Sequence, residues 1–236
     1  MHWISFNGRK STDYGLFVTK KTDIFTAAQR DSSLQSVPGR DGDVVIDNGR
    51  YNNIPLTYEM QLVTTASDFA SRAKAIREWL GTTTGYVTLF DSYDENYFRL
   101  AVAQSVSVSQ NKDFEGKINF SVNCKPFRYS FAGQNRIELT SSGTVTNPES
   151  SYALPHIKIT GSGNVTLHIN NNSYQLSTIS PNIEIDSEMM SVYRGTTLLN
   201  NKAGFDEFPV LDPGDNSISW TGAVTKVEIV PRWRCL

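Results

Sequence analysis

The chain has 236 residues, 39% of them hydrophobic, which is enough apolar material for one large core or two modest ones. Its 22 basic and 24 acidic side chains give a formal net charge of -2, with 15 basic and 14 acidic residues up to position 132 and 7 and 10 beyond it, so neither part offers the positive field of a dedicated nucleic-acid or anionic-membrane binder. Cys124 and Cys235 stand far apart with no second cysteine near either; this leaves no CxxC redox pair and no zinc knuckle, and fits a reducing compartment.

In chain order, Met1-His2-Trp3-Ile4-Ser5-Phe6-Asn7-Gly8 alternates polar and apolar residues and lacks the long apolar stretch of a signal peptide. It reads as a first strand, with synthesis and folding in the cytoplasm as the expectation. No window reaches the roughly 18 apolar residues that span a bilayer. Short β-branched or aromatic runs punctuated by Gly, Pro, Asn and Asp recur through nearly the whole chain, the pattern of an all-β sandwich or barrel. One segment departs from it. Over 67–80, Phe69, Ala73, Ile76 and Leu80 fall at helical spacing, with Thr65 or Ser67 available as N-cap and Gly81 as the stop, which predicts one amphipathic helix lying on a sheet.

Behind that helix, 86–90, 97–108 and 117–126 read as strands, and the polar connection 91–96 as a hairpin turn; a calcium loop would need the EF-hand spacing and its central glycine. The stretch 134–155 is poor in apolar residues and rich in Ser, Thr, Asn and Gly, so a domain boundary is expected there, dividing the chain into 1–132 and 133–236. Seven short strands at 157–160, 165–170, 173–176, 183–186, 191–194, 218–220 and 227–230 then predict a second, compact β-sandwich.

Chemistry is sparse along this frame. His2, His156 and His168 are scattered and form no HExxH pair, and no Walker or dinucleotide-binding glycine pattern occurs, so no metal or cofactor is expected. Gly161-Ser162-Gly163 lacks the GxSxG of a nucleophile elbow and reads as a turn. Asp186 with Glu188, and Asp41 with Asp43 and Asp47, flank Gly, Asn or Ser, which favours solvated turn carboxylates over a glycosidase pair. Tyr174 and Trp220 could stack on a sugar, although an alternating aromatic such as the one in Ile218-Ser219-Trp220 more often fills a sandwich interior. The chain therefore reads as no enzyme.

More specific are Ser36-Val37-Pro38-Gly39-Arg40-Asp41-Gly42-Asp43, then Gly49-Arg50-Tyr51-Asn52-Asn53, the alternating Ile54-Pro55-Leu56-Thr57-Tyr58-Glu59-Met60, and the helix Ala73-Lys74-Ala75-Ile76-Arg77-Glu78-Trp79-Leu80. Lys125-Pro126-Phe127-Arg128-Tyr129, Asn147-Pro148, Pro155-His156-Ile157-Lys158-Ile159 and Ile185-Asp186-Ser187 continue the series. Phe208-Pro209-Val210-Leu211-Asp212-Pro213-Gly214-Asp215-Asn216 and Pro231-Arg232-Trp233-Arg234 complete it. In this order, spread over nearly the whole chain, they resemble the distal tail proteins of siphophages. The resemblance implies an N-terminal ring-forming β-sandwich or split barrel with one α-helix, followed by a galectin-like β-sandwich. It also implies a homohexameric ring at the virion tail tip, joining the major tail tube protein to the tail-associated tip protein. The outer domains would carry receptor-binding proteins, and DNA would cross the lumen without specific binding.

Within the tight turn, Gly39 and Gly42 allow backbone angles closed to other residues, Arg40 offers a fork of donors and Asp41 an acceptor. Turn chemistry alone does not need an arginine. Pro38, Gly39, Arg40, Asp41 and Gly42 are therefore expected to serve an oligomer interface or to lock a loop. Two other functions stay open at this point: a carbohydrate-binding adhesion protein using Tyr174 and Trp220, and a tail-tip glycan hydrolase, which would need two carboxylates roughly 5 to 10 Å apart in one cleft.

Overall fold

A computed structural model describes residues 1–20 and 25–236. The described residues are mostly antiparallel β with one α-helix, and the chain divides into two compact units, Met1–Arg128 with Leu236, and Tyr129–Cys235.

The first unit begins with β1 (Ile4–Phe6) and β2 (Arg9–Lys10), joined by Asn7-Gly8, both left-handed as an Asn-Gly hairpin turn requires. Then come β3 (Leu16–Val18), β4 (Arg30–Gln35), β5 (Val44–Tyr51), β6 (Ile54–Val63), α1 (Phe69–Gly81), β7 (Val87–Asp91), β8 (Tyr97–Lys112) and β9 (Glu115–Ser130). The main sheet runs β2-β1-β7-β8-β9-β6-β3, and a bridge between His2, just ahead of β1, and Val18 on β3 links its opposite margins, so the sheet closes into a barrel. Strict alternation on β6 and β9 sends Leu56, Tyr58, Met60, Ile118, Phe120 and Val122 inward, where they meet Ile4, Phe6 and Leu16.

Helix α1 covers this core with Phe69, Ile76, Trp79 and Leu80. The Trp79 indole N–H donates to the Phe6 carbonyl at 2.9 Å, which ties the helix to β1. Phe69 sits so close to Gly116 that a Cβ there would lie 2.7 Å from its ring, which explains a glycine at the start of β9. The helix start differs from the expected caps. Asp68 is the N-cap and makes no side-chain cap bond, while the Thr65 and Ser67 hydroxyls bond each other at 3.1 Å.

In the second unit the Ser/Thr-rich stretch is structured: β10 (Ile137–Leu139) and β11 (Gly143–Asn147) lie within it, and the division between units falls upstream, inside β9. They are followed by β12 (His156–Ile169), β13 (Asn172–Ile179), β14 (Asn182–Asp186), β15 (Ser191–Arg194), β16 (Thr197–Leu198) and β17 (Gly214–Val230). Two pairs of expected short strands are each one long bent strand. The first half of β12 pairs with β14 and the last third of β17; its second half pairs with β13 and the middle of β17, over 218–221. The same two strands thus serve both layers of the sandwich.

The bends are β-bulges at Gly161 and Gly222. A Cβ on Gly161 would stand 2.3 Å from the Ala223 carbonyl oxygen, and one on Gly222, whose φ is +103°, 2.5 Å from the Asn164 carbonyl oxygen. Gly161-Ser162-Gly163 is therefore a bulge inside a strand, not a turn between two. Between the layers lie Ile157, Ile159, Leu167, Ile169, Ile183, Ile185, Ile218 and Val227.

Candidate assembly site

Strands β4 and β5 belong to neither unit's main sheet; they form a two-stranded ribbon of their own, an arm carrying 36–43 at its tip. Its base is held by ion pairs. Arg30 binds Asp47 at 2.7 Å and lies 4.9 Å above the Tyr51 ring; on the other side Arg50 reaches Asp31 at 2.5 Å, and Asn48 donates to the same carboxylate. The hydrogen bond from Arg50 holds the Asp31 carboxyl below the usual carboxylate range, and that from Arg30 does the same for Asp47.

The outer half of the arm is apolar on both faces. Leu34 opposes Val45 on one, and Val44 and Ile46 stand on the other. Leu34 is 69% exposed, Val45 63%, Ile46 42% and Val37 40%. A lone two-stranded ribbon is marginal in water, and one that turns apolar side chains outward from both faces has surface suited to burial by another molecule.

At the apex the Arg40 N–H donates to the Val37 carbonyl at 3.2 Å, and Gly39 and Gly42 take φ of +80° and +78°. Nothing lies within 4 Å of a Cβ built on either glycine, so the turn needs glycine for its backbone angle alone. Pro38, Gly39, Arg40, Asp41 and Gly42 come together here, all exposed. Among the described residues, no hydrogen bond or ion pair engages the Arg40 or Asp41 side chain. The apolar residues behind the apex escaped the sequence reading, although Val44-Val45-Ile46, three consecutive apolar residues in a chain of alternating strands, carried a signal for a two-faced ribbon.

The second unit places its candidates elsewhere. Tyr174, Leu167 and Trp220 form one rung across β13, β12 and β17 and share the inner face. Tyr174 is buried with its ring edge-on to Phe205, and Trp220 is half-buried against the core, so the two do not present an exposed coplanar platform. Asp186 is not a solvated turn carboxylate. It is 2% exposed, and Arg232 forks onto it with two bonds of 2.8 Å. Burial alone would raise its carboxyl, but Arg232 and the Met189 N–H outweigh that and hold it below the usual range.

Several quoted sequence pieces turn out to be fold devices of this unit. Arg232, itself left-handed at φ +57°, unites Pro231-Arg232-Trp233-Arg234 with Ile185-Asp186-Ser187. Buried Asn147 donates to the Ser151 and Leu211 carbonyls, and buried Asn216 to those of Val145, Asp212 and Gly214. His156 meets Glu184 and the Tyr193 hydroxyl at 3.1 Å, whereas His168 meets Ser173, so the two imidazoles have separate partners. Burial pushes the Cys124 thiol up to about 12, which leaves it unreactive as a nucleophile.

No family model and no curated protein matches the sequence. Among solved structures, the Dit protein of phage SPP1, a paradigm of the hub adsorption apparatus in phages infecting Gram-positive hosts, is similar over 100% of both chains, with a TM-score of 0.79 at 13% identity. A chain of the phage p2 baseplate in its activated conformation is similar over 96% of this chain and 97% of that one, with a TM-score of 0.51 at 9% identity. Barrel, arm and sandwich follow one another here within the fold of the phage Dit hub protein.

Proposed function

We propose that this protein is a structural, non-catalytic subunit of the adsorption hub at the tip of a long non-contractile phage tail. Copies of its first unit close into a homohexameric ring between the major tail tube protein and the tail-associated tip protein, and its second unit projects outward to carry receptor-binding proteins. The observation that carries the reading is the arm, a solvent-exposed ribbon with apolar side chains on both faces, grafted on a barrel whose own core is complete. A closed ring is built from heterologous contacts, in which one patch of a subunit meets a different patch of the next, and an arm reaching onto a neighbour is such a contact. The full-length likeness to SPP1 Dit supports the hub assignment, and the number six follows that family resemblance. The near-balanced charge of the first unit suits a conduit through which DNA passes without being held.

Light scattering coupled to size exclusion over a concentration series tests this. A single species of six times the 26.3 kDa chain mass is expected. A protein that stays monomeric at every concentration, and also in the presence of its tube or tip protein, overturns the ring.

A further inference from the structure

Resting on the ring reading, we propose that the apex of one copy's arm docks into a groove at the C-terminal end of α1 of the adjacent copy, with Arg40 against Glu78 and the last carbonyls of the helix. The groove has a volume of about 440 Å³ and is lined by Asn7, Arg9, Glu78, Trp79, Thr82–84 and Val87. Its floor is rigid: Trp79 is anchored to the Phe6 carbonyl and stacked on Tyr14 at 4.6 Å between ring centroids. Its walls are mostly short hydroxyl and amide side chains, which accept a guanidinium without having to be displaced.

Charge gives the groove its direction. The last turn of α1 carries no basic residue, so the carbonyl end of the helix dipole has no compensating cation on the helix itself. Thr82 Oγ1 donates to the Glu78 carbonyl but brings no charge. Glu78 adds a carboxylate to the lining, held among the described residues only by a loose, exposed contact of 3.7 Å to Lys74. Exposed Arg9 also lines the groove and spends one N–H on the Tyr14 hydroxyl. The apex presents the converse pattern, Arg40 followed by Asp41 and Asp43, with the Arg40 and Asp41 side chains engaged by no described residue. A cation followed by anions thus faces an acceptor-rich pocket flanked by a cation, and Val37, exposed beside the turn, can cover the Val87 side of the groove. Because apex and groove lie on one chain and differ from each other, the contact is heterologous and repeats around a ring.

A charge exchange read by the mass of the full-length protein across a concentration series tests it. Arg40→Glu and Glu78→Arg are each expected to raise the half-assembly concentration by about tenfold or more, and the double variant to return to within roughly threefold of the starting protein. Thermal unfolding of each variant checks that the barrel is intact; both sites are exposed, so the midpoints should coincide. A protein that assembles normally with either single change, or a double variant no better than its parents, overturns the apex and groove pairing and leaves the ring standing. An unmodified chain that never assembles overturns both.

Discussion

The barrel and the arm that grows from it are both antiparallel β, separated from Tyr51 to Ile54 by only Asn52 and Asn53, yet they treat their apolar side chains in opposite ways. In the barrel, Phe6, Leu16, Met60, Ile118 and Phe120 are fully buried; in the arm, Leu34 and Val45 are more than 60% exposed. Hydrophobic burial stabilises the folded chain only where both states of the comparison are the chain itself. The barrel therefore has its stability within one molecule, while in the proposed ring the arm's apolar surface would gain its stabilisation on association. Folding and assembly should then be separable by mutation.

The largest effect expected is inside the barrel. Phe120→Ala removes a fully buried ring that stands edge-on to Phe6 at 5.1 Å, and should cost about 3–5 kcal/mol of stability, measured as a shift of the urea midpoint. An effect below about 1 kcal/mol would mean the core is not closed as described. The sandwich offers a counterpart with a pH signature. Asp186→Asn leaves the Arg232 charge with only the looser 3.8 Å contact to Glu188 among the described residues and should cost around 3 kcal/mol near neutrality. Because the folded carboxyl lies below its unfolded value of about 4, the contribution of Asp186 is fully present above that pH and disappears as pH falls through the folded value. The stability difference between native protein and variant should accordingly narrow on acidification; a constant difference down to about pH 2 would refute the linkage.

For the arm the expectation reverses. Leu34→Ser with Val45→Ser should leave the urea midpoint within about 0.5 kcal/mol, yet weaken assembly on the order of a hundredfold. If stability falls and assembly does not, the arm belongs to the fold and not to the interface. The smallest effect sharpens the contrast. Cys124, buried with its thiol at about 12, should resist alkylation in monomer and assembly alike, whereas a cysteine placed by Val45→Cys should react freely in the monomer and become protected on assembly.

Some of this was legible in the residues. The helix is where Phe69, Ala73, Ile76 and Leu80 placed it, because a 3.6-residue period is a local property; its start was not, because the Thr65 and Ser67 hydroxyls bond each other instead of the helix N–H groups. Gly161 and Gly222 punctuate the sequence as turns do. Only the carbonyls of Ala223 and Asn164, supplied by a strand far along the chain, make them bulges. The polar stretch at 134–155 resembles a linker because its strands are stabilised by β17, some eighty residues away, and contribute little apolar surface themselves. Asp186 looked solvated beside Ser187 and Glu188 because nothing nearby announces Arg232, 46 positions on.

What the sequence by itself determined was whatever rests on neighbours within a turn or a strand: the all-β character, the single helix, the inward-facing sets of β6 and β9, and the glycine-bounded apex around Arg40. Tertiary structure decided what depends on partners distant in the chain. The barrel closes through His2 and Val18, two strands bend to serve both layers of the sandwich, Tyr174 and Trp220 turn inward on one rung, and Asp186 is buried against Arg232. The physical reason is that pleat and helical period are written in spacing, whereas burial, bulges and ion pairs are properties of a meeting between segments. Whether a given apolar side chain faces a core or solvent, as Val45 does, is read only once the rest of the chain has taken its place.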